Sequence, residues 1–397
     1  MVALLRNTIR DYAWGSPTAI PELTGAEPDG RPQAELWMGA HESAPSVLPS
    51  GQSLYDLVRT DPIGTLGVET AERFQGRFPF LAKILAAAQP LSIQAHPSLE
   101  QAIDGYARDE AAGIPLDASD RNYRDAWPKP EILIALEPFE ALVGFRPLNR
   151  TVALLDALAG EGVAVDGFEE LTDLLRNGKL QDAFTHFMST DRDSIRPLVA
   201  ALGEACSRYA RAEFALEVET LEKLSTDFPD DPGVLAALLL NRVRLDRFQA
   251  VYLPAGNVHA YLSGTGFEVM ANSDNVLRGG LTRKHVDVPE LVSVVDFEPL
   301  ADPVLTARHE TGQYETGCPY FAVRRVDLGV APVTVADAVG PRIVACVDGT
   351  TTVGTADVVI GIDDVVELSA GQSAFIKGPE GPCTLRGSGT AFVVSAR

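Results

Sequence analysis

The sequence is short of cysteine, of positive charge and of long apolar runs, and each shortage removes a class of protein. Its four cysteines, Cys206, Cys318, Cys346 and Cys383, lie far apart in 397 residues and form no C-x-x-C pair. They make no disulfide framework, which points to a reducing compartment. Lys and Arg number 33 against 55 Asp and Glu, a formal net charge of −22. A field of that sign repels DNA, RNA and anionic lipid, so neither a nucleic-acid nor a membrane partner is expected. The nearest approach to a long apolar run, Leu81 to Pro90, falls well below the ~20 residues of a membrane-spanning helix. The opening MVALLRNTIRDYAWG carries Arg6 and Arg10 and has no apolar stretch of signal-peptide length, so a cytoplasmic protein is expected. G-x-x-x-x-G-K-[ST], G-x-G-x-x-G and G-x-S-x-G are all missing, which removes the common nucleotide loops and the serine-hydrolase elbow.

What is present is ordinary globular composition, 46% apolar and 22% charged, in a chain long enough for two or three domains. Three textures follow one another. Up to about residue 148 the chain is broken by Pro and Gly, and FPFLAKILA (78–86), PLSIQAHP (90–97) and EILIALEPFEALVGF (131–145) read as short strands. Residues 98–127 look like an insertion that begins with a helix, Ser98 as N-cap and Gly113 as stop. From about 149 to 247 the spacing is helical. One long helix is predicted over about 194–226 with Leu198, Leu202, Cys206 and Tyr209 on one face, and another over PGVLAALLLNRVRL after Pro229 and Pro232. From about 248 onward short strands rich in Val, Thr and aromatics return, the pattern of a sandwich or jelly roll. LPAGNVH (253–259) and LSAGQSA (368–374) share a Leu-x-Ala-Gly frame, with Ala374 where the first frame has His259. If the frames correspond, the chain holds two similar β modules and only the first can bind a metal.

The residues able to carry chemistry are few. Six histidines occur: His41, His96, His186, His259, His285 and His309. In LSIQAHP, Gln94 and His96 are two apart, which on a strand sends both side chains to one face. His259 follows a Pro-x-Gly turn, and Glu131 opens an apolar run where a strand emerges. Two imidazoles with a carboxylate and an amide oxygen suit Zn²⁺ or another divalent first-row metal. On the residues alone they also read as a hydrogen-bonded core His, a turn His and a surface Glu, since Q-x-H by itself is a weak signal. His186 reads as a helix-face residue, His309 as solvated, and His41 stays undecided. NVLRGGLTRKHVD gathers Arg278, Arg283, Lys284 and His285 within eight residues of an acidic chain, with Gly279 and Gly280 able to let backbone approach a ligand. That patch can neutralise a phosphate, or it is a solvated turn.

YAWGS (12–16), AELWMGAHESAPS (34–46), FLAKILAAAQPLSIQAHPS (80–98), KPEILIALEPFEALVGFRP (129–147) and LPAGNVHAYLSGTGFEVMANSDNVLRGGLTRKHVDVPEL (253–291) resemble the type I mannose-6-phosphate isomerases. The likeness runs in order over about three quarters of the chain. It implies a mainly β protein with an α insertion: two cupin-like jelly-roll β-barrel modules plus an inserted helical domain. The implied divisions are 1–148 and 248–300 for a catalytic cupin, 149–247 for the helical insertion, and 301–397 for a degenerate C-terminal cupin. It also implies one Zn²⁺ per chain held by Gln94, His96, Glu131 and His259, and an essential arginine at Arg278. Other active-site positions fall on Ser92, Lys83, Lys129, Tyr261, Glu268, Asp274 and Lys284.

The implied reaction interconverts mannose 6-phosphate and fructose 6-phosphate through a cis-enediolate. Arg278 is assigned to the developing oxyanion and Glu268 to proton transfer, with Lys129 and Tyr261 as rivals for that role. Ser92, Lys83 and Lys284 are assigned to the phosphate, and Asp274 to substrate binding. A carboxylate crowded by Zn²⁺, Arg and Lys is expected to have a lowered pKa unless burial opposes it, which weighs against Glu268 as a strong base. Glu268 as a structural acceptor for Arg278, and Lys83 as a snorkelling strand residue, are the alternatives. The partner is a small sugar phosphate and the expected state a monomer, with a weak homodimer as the alternative. Rival functions are an isomerase of another aldose, an Fe(II) cupin oxygenase, and a non-catalytic sugar-phosphate-binding cupin. The Gln ligand argues against the oxygenase, and retention of Arg278 and every zinc ligand argues against the last.

Overall fold

A computed structural model describes residues 1–162, 168–338, 340–355 and 365–397. Among them, eleven strands form one sheet system and seven another, with helices grouped between residues 148 and 239. The first system holds Phe80–Ala87 and Glu131–Ala135, each buried along its whole length. Burial on both faces is why these strands read as continuous apolar runs and not as alternations.

Between them lies His259–Ala271, the longest strand of this system. Its second half pairs antiparallel with both Phe80–Ala87 and Glu131–Ala135, while its first half pairs with Gln94–Ala95 and Phe139–Phe145. The change of partners is made at a register shift between Tyr261 and Ser263, followed by Gly264 at φ +118°. A Cβ on Gly264 would stand 2.7 Å from the Pro138 carbonyl oxygen, so only glycine fits. The shift also resets the alternation of faces. Tyr261 and Glu268, an odd number of residues apart, can therefore meet.

The second system is built on Arg342–Thr355 and Cys383–Ala396, flanked by Ser373–Ile376 and Phe321–Leu328. Both Leu-x-Ala-Gly frames link two strands through a left-handed glycine, Gly256 at φ +79° and Gly371 at φ +82°. The frames correspond, and Ala374 is buried where the first has His259. The two systems share a core in which Phe267 stacks on Phe392 at 4.7 Å between centroids.

Three details correct the sequence reading. The stretch 194–226 is two helices, Arg192–Arg208 and Ala215–Asp227. They are hinged at Tyr209–Phe214, Phe214 adopts φ +66°, and Tyr209 lies past the first helix. A single helix would run ~50 Å away from the core. Folded back, Leu198, Leu202 and Cys206 share their core with Val218, Leu221 and Leu224. PGVLAALLLNRVRL is helical only over Gly233–Leu239, and Leu240–Leu245 is a strand pairing with Phe139–Phe145. The alternation Val243-Arg244-Leu245, buried-exposed-buried, is a strand signal that the apolar run before it concealed. The segment boundaries also shift: Val2–Leu5 pairs with Ser373–Ile376 in the second system, and Val304–Thr306 extends the first. The helix after Ser98 forms as expected, Leu99–Ala111, with a capping box between Ser98 and Gln101.

Candidate functional site

Strand register brings distant residues to one face. Gln94 lies opposite His259 on one side and Arg278 on the other. Glu268 lies opposite Lys83, which lies opposite Trp37. His259 is delivered by the turn at Gly256, where a Cβ would stand 3.0 Å from Val294 O and Asp296 N, and whose N–H is bonded to the His96 carbonyl.

His96, Glu131 and His259 are buried and converge, their ligand atoms within 4.8 Å of one another. His96 Nδ1 donates to the Asn275 carbonyl at 2.7 Å, and His259 Nδ1 to the Asn257 carbonyl at 3.1 Å. Those bonds fix the tautomers, leaving each Nε2 as a lone pair aimed at Glu131, 3.4 Å from its carboxylate oxygens. Burial lowers the His96 pKa to about 4, so near neutrality the ring stays neutral. Lone pairs facing a carboxylate need a cation between them. His96 Nε2 and Glu131 Oε2 are indeed buried with no hydrogen-bond partner. The Gln94 amide is 3.2 Å from His259 Nε2, and turning it by half a rotation offers its oxygen to the same point. The donor set, two imidazoles, a carboxylate and an amide oxygen, fits Zn²⁺.

Beside this cluster runs a second buried chain of charge. Lys129 Nζ is 3.0 Å from Glu131. Burial alone would raise the Glu131 carboxyl, but Lys129 and His96 hold it well below the usual range. Lys83 Nζ lies between Glu35 (3.4 Å) and Glu268 (3.2 Å), and Tyr261 donates to Glu268 at 2.8 Å. Burial works to lower the Lys83 pKa, yet Glu35, Glu268 and Glu131 outweigh it and the amine stays charged. For Glu268 burial prevails, helped by Glu131 and Glu35 against Lys83 and Lys129, and its pKa is raised. Burial opposes the lowering expected from neighbouring cations because this carboxylate is only 3% exposed. Burial, and then Glu268, push the Tyr261 hydroxyl well above its ordinary value.

Two assignments change with this geometry. Lys83 has its amine committed to two buried carboxylates, so it is no free phosphate contact. Glu268 meets Lys83 and Tyr261, which replaces the idea that it accepts from Arg278. Arg278 and Lys284 instead stand together with Arg124, a residue missed in the sequence. Burial first, and then Arg124, lower the Arg278 pKa, and burial, Arg278 and Arg124 lower that of Lys284. Arg124 thus acts on both, and Arg278 on Lys284, a grouping of cations suited to an anion. Ser92 is half-buried two residues before Gln94.

Asp274 bonds His41 Nε2 at 3.3 Å on the wall of a cavity of about 630 Å³ that Arg124 also lines. Burial works to raise the Asp274 carboxyl, and His41, Lys129 and Lys83 together hold it lowered. His41 is thereby a structural histidine, while His186, His285 and His309 are exposed. Glu35 and Asn275 were also missed. Each acts through partners far away in sequence, so spacing offered no signal.

A profile of the type I phosphomannose isomerase catalytic domain matches residues 2–148. Mannose-6-phosphate isomerase of Escherichia coli (strain K12) is 39% identical over 97% of each chain. The Aspergillus fumigatus protein of the same name is 32% identical over 96% of this chain and 92% of its own. A crystal structure of mannose 6-phosphate isomerase from Salmonella typhimurium, bound to substrate (f6p) and zinc, superposes with a TM-score of 0.89. It is 35% identical and covers 100% of this chain and 99% of that one. With similarity of this extent in both sequence and fold, the chain belongs to the mannose-6-phosphate isomerase family.

Proposed function

We propose that the chain interconverts mannose 6-phosphate and fructose 6-phosphate by moving one proton between C2 and C1 of the open-chain sugar through a cis-enediolate. The observation that carries this reading is the orphaned His96–Glu131–His259 cluster beside a buried carboxylate of raised pKa and a group of three cations. Gln94, His96, Glu131 and His259 would hold one zinc ion. When bound, zinc supplies Lewis-acid polarisation of the sugar oxygens.

The remaining work falls to this chain's own side chains. Glu268 takes the C2 proton and returns it to C1; a raised pKa keeps it basic enough for the task. Tyr261 orients that carboxylate with its hydroxyl, and Lys83 holds it from the other oxygen. Lys129 keeps a fixed positive charge beside Glu131. Arg278 faces the negative charge that develops on the sugar oxygens. Ser92, Lys284 and Arg124 receive the phosphate, and Asp274 a sugar hydroxyl. Segments 1–148 and 248–300 form the catalytic unit, apart from the boundary strands already noted, with 301–397 as a second, degenerate module. The four cysteines are free and buried, which supports a cytoplasmic setting. No helix among the described residues is long and apolar enough to cross a membrane. The working state is a monomer.

The test is a coupled assay on the zinc-loaded chain with mannose 6-phosphate, mannose and glucose 6-phosphate. Rapid conversion of the first and at least about a hundredfold lower kcat/KM for the unphosphorylated sugar are expected, as several charge-assisted phosphate contacts are lost. Preference for another sugar would overturn the substrate assignment.

A further inference from the structure

The helical insertion reaches the basic turn after Arg278 through a pair of aspartates. Residues 228–234, Phe-Pro-Asp-Asp-Pro-Gly-Val, reverse the chain between Ala215–Asp227 and Gly233–Leu239. Asp231 is only 2% exposed, a burial that a carboxylate tolerates when its oxygens are occupied. Its Oδ1 accepts from the backbone N–H of Gly233 (2.8 Å) and of Leu281 (2.9 Å), and its Oδ2 from that of Thr282 (3.1 Å). Asp230 pairs with Arg283 at 3.1 Å, Arg192 at 3.5 Å and Arg196 at 3.7 Å, and Arg192 also donates to the Thr282 carbonyl at 3.2 Å.

The two backbones are in direct contact there. A Cβ on Gly280 (φ +109°) would lie 2.4 Å from Gly233 Cα, and one on Gly233 would lie 2.5 Å from Leu281 N. Leu281 is buried at φ +52°, a conformation that an L-residue keeps when its surroundings impose it. The near half of the turn is held by the catalytic sheet: Gly279 N–H donates to the Ile93 carbonyl at 2.7 Å and Ile93 N–H to the Gly280 carbonyl at 3.0 Å. The far half, running to Lys284, is held by Asp231, and Thr282 Oγ1 accepts from Lys284 N–H at 3.1 Å.

We propose that Asp231 is a positioning residue for the isomerisation: by gripping the amides of Leu281 and Thr282 it sets the far half of the turn after Arg278, which presents Lys284. The helical insertion thereby acts as an anchor for the phosphate-binding turn. This rests on the reading that Lys284 receives the sugar phosphate. It assigns the insertion a task that a flexible lid could not perform, because a lid would not share a buried carboxylate with the turn.

The experiment compares the full-length, zinc-loaded chain with Asp231→Ala and Asp231→Asn. It measures steady-state kinetics with mannose 6-phosphate, zinc content, and hydrogen exchange at the Leu281 and Thr282 amides. Asp231→Ala is expected to raise KM about tenfold or more with a smaller change in kcat, full zinc content and faster exchange at both amides. Asp231→Asn keeps the shape and one acceptor oxygen and recovers most of the loss. Should the alanine variant fail to fold, the asparagine variant carries the test with a KM rise of about threefold. A folded, zinc-loaded alanine variant with unchanged KM and exchange overturns the proposal. So does a loss of kcat at constant KM that asparagine does not rescue. A wild-type chain inactive on mannose 6-phosphate overturns the functional reading, while the two amides still report on the anchor.

Discussion

His96 gives its Nδ1 proton to the backbone carbonyl of Asn275 at 2.7 Å, and the side chain of Asn275 in turn ties down the segment before Lys129. Its Oδ1 accepts from Arg124 N–H at 2.7 Å, and its Nδ2 donates to the carbonyls of Asp125 (2.7 Å) and Trp127 (2.9 Å). One buried asparagine thus joins a metal ligand to the stretch that carries Arg124. Asn275→Ala is expected to weaken zinc binding about 10–100-fold, the usual effect of disturbing a group that orients a ligand. It should also lower stability by about 2–4 kcal/mol through the backbone groups it strands. Zinc titration and urea unfolding measure the two, and unchanged zinc affinity would contradict the link.

The Glu35–Lys83–Glu268–Tyr261 chain separates a chemical role from a supporting one. Glu268→Gln keeps the shape and the bond from Tyr261 but removes the base, so kcat should fall about 10²–10⁴-fold with zinc content intact. Lys83→Met should act differently: two buried carboxylates lose their shared counter-charge, and stability falls by about 3–5 kcal/mol. Steady-state kinetics beside thermal unfolding distinguishes them. Equal kinetic and stability losses in both variants would contradict the division.

Lys284 and Arg278 should divide KM from kcat. Lys284→Ala removes a phosphate cation, and KM for mannose 6-phosphate should rise about tenfold or more with kcat little changed. Arg278→Ala should lower kcat about a hundredfold or more, since its charge acts on an oxyanion present only along the reaction path. Arg124→Gln should resemble Lys284→Ala in a milder form. A KM unmoved by both Lys284→Ala and Arg124→Gln would remove the phosphate from this corner.

Phe267, the residue before Glu268 on its strand, stacks on Phe392 and joins the two sheet systems. Phe392→Ala should cost about 3–5 kcal/mol, as expected for a buried aromatic in a shared core. Unfolding followed in urea checks this. A loss below about 1 kcal/mol would mean that the two systems do not depend on this contact.

The sequence was most legible where one residue's own neighbours determine its role. Gln94 and His96 share a face by strand alternation, and Ser98 caps its helix by its local partner Gln101. The Pro-x-Gly turn before His259 and the repeated frame around Gly371 were readable for the same reason. What escaped was set by long-range pairing. Glu268 could be assigned a low or a raised pKa until its burial was known, and Lys83 looked like a free cation until Glu35 and Glu268 were found on it. The helix at 194–226 breaks because its second half must return to the core, which helical periodicity does not register. Asp231 sat in an obvious turn, but its true partners are backbone amides in another segment, and no side-chain pattern announces such a bond.

Catalysis by this chain requires the cluster of Gln94, His96, Glu131 and His259 to hold a metal that the reaction needs. The direct measurement is mannose 6-phosphate turnover during stepwise return of zinc to the chelator-stripped chain, with Glu131→Gln alongside. Activity should be absent without metal, rise in proportion to zinc, level off at one ion per chain, and stay absent in the variant. Turnover that persists in the stripped chain, or that continues unchanged in Glu131→Gln, would rule out a metal-dependent reaction and return these four residues to a structural role.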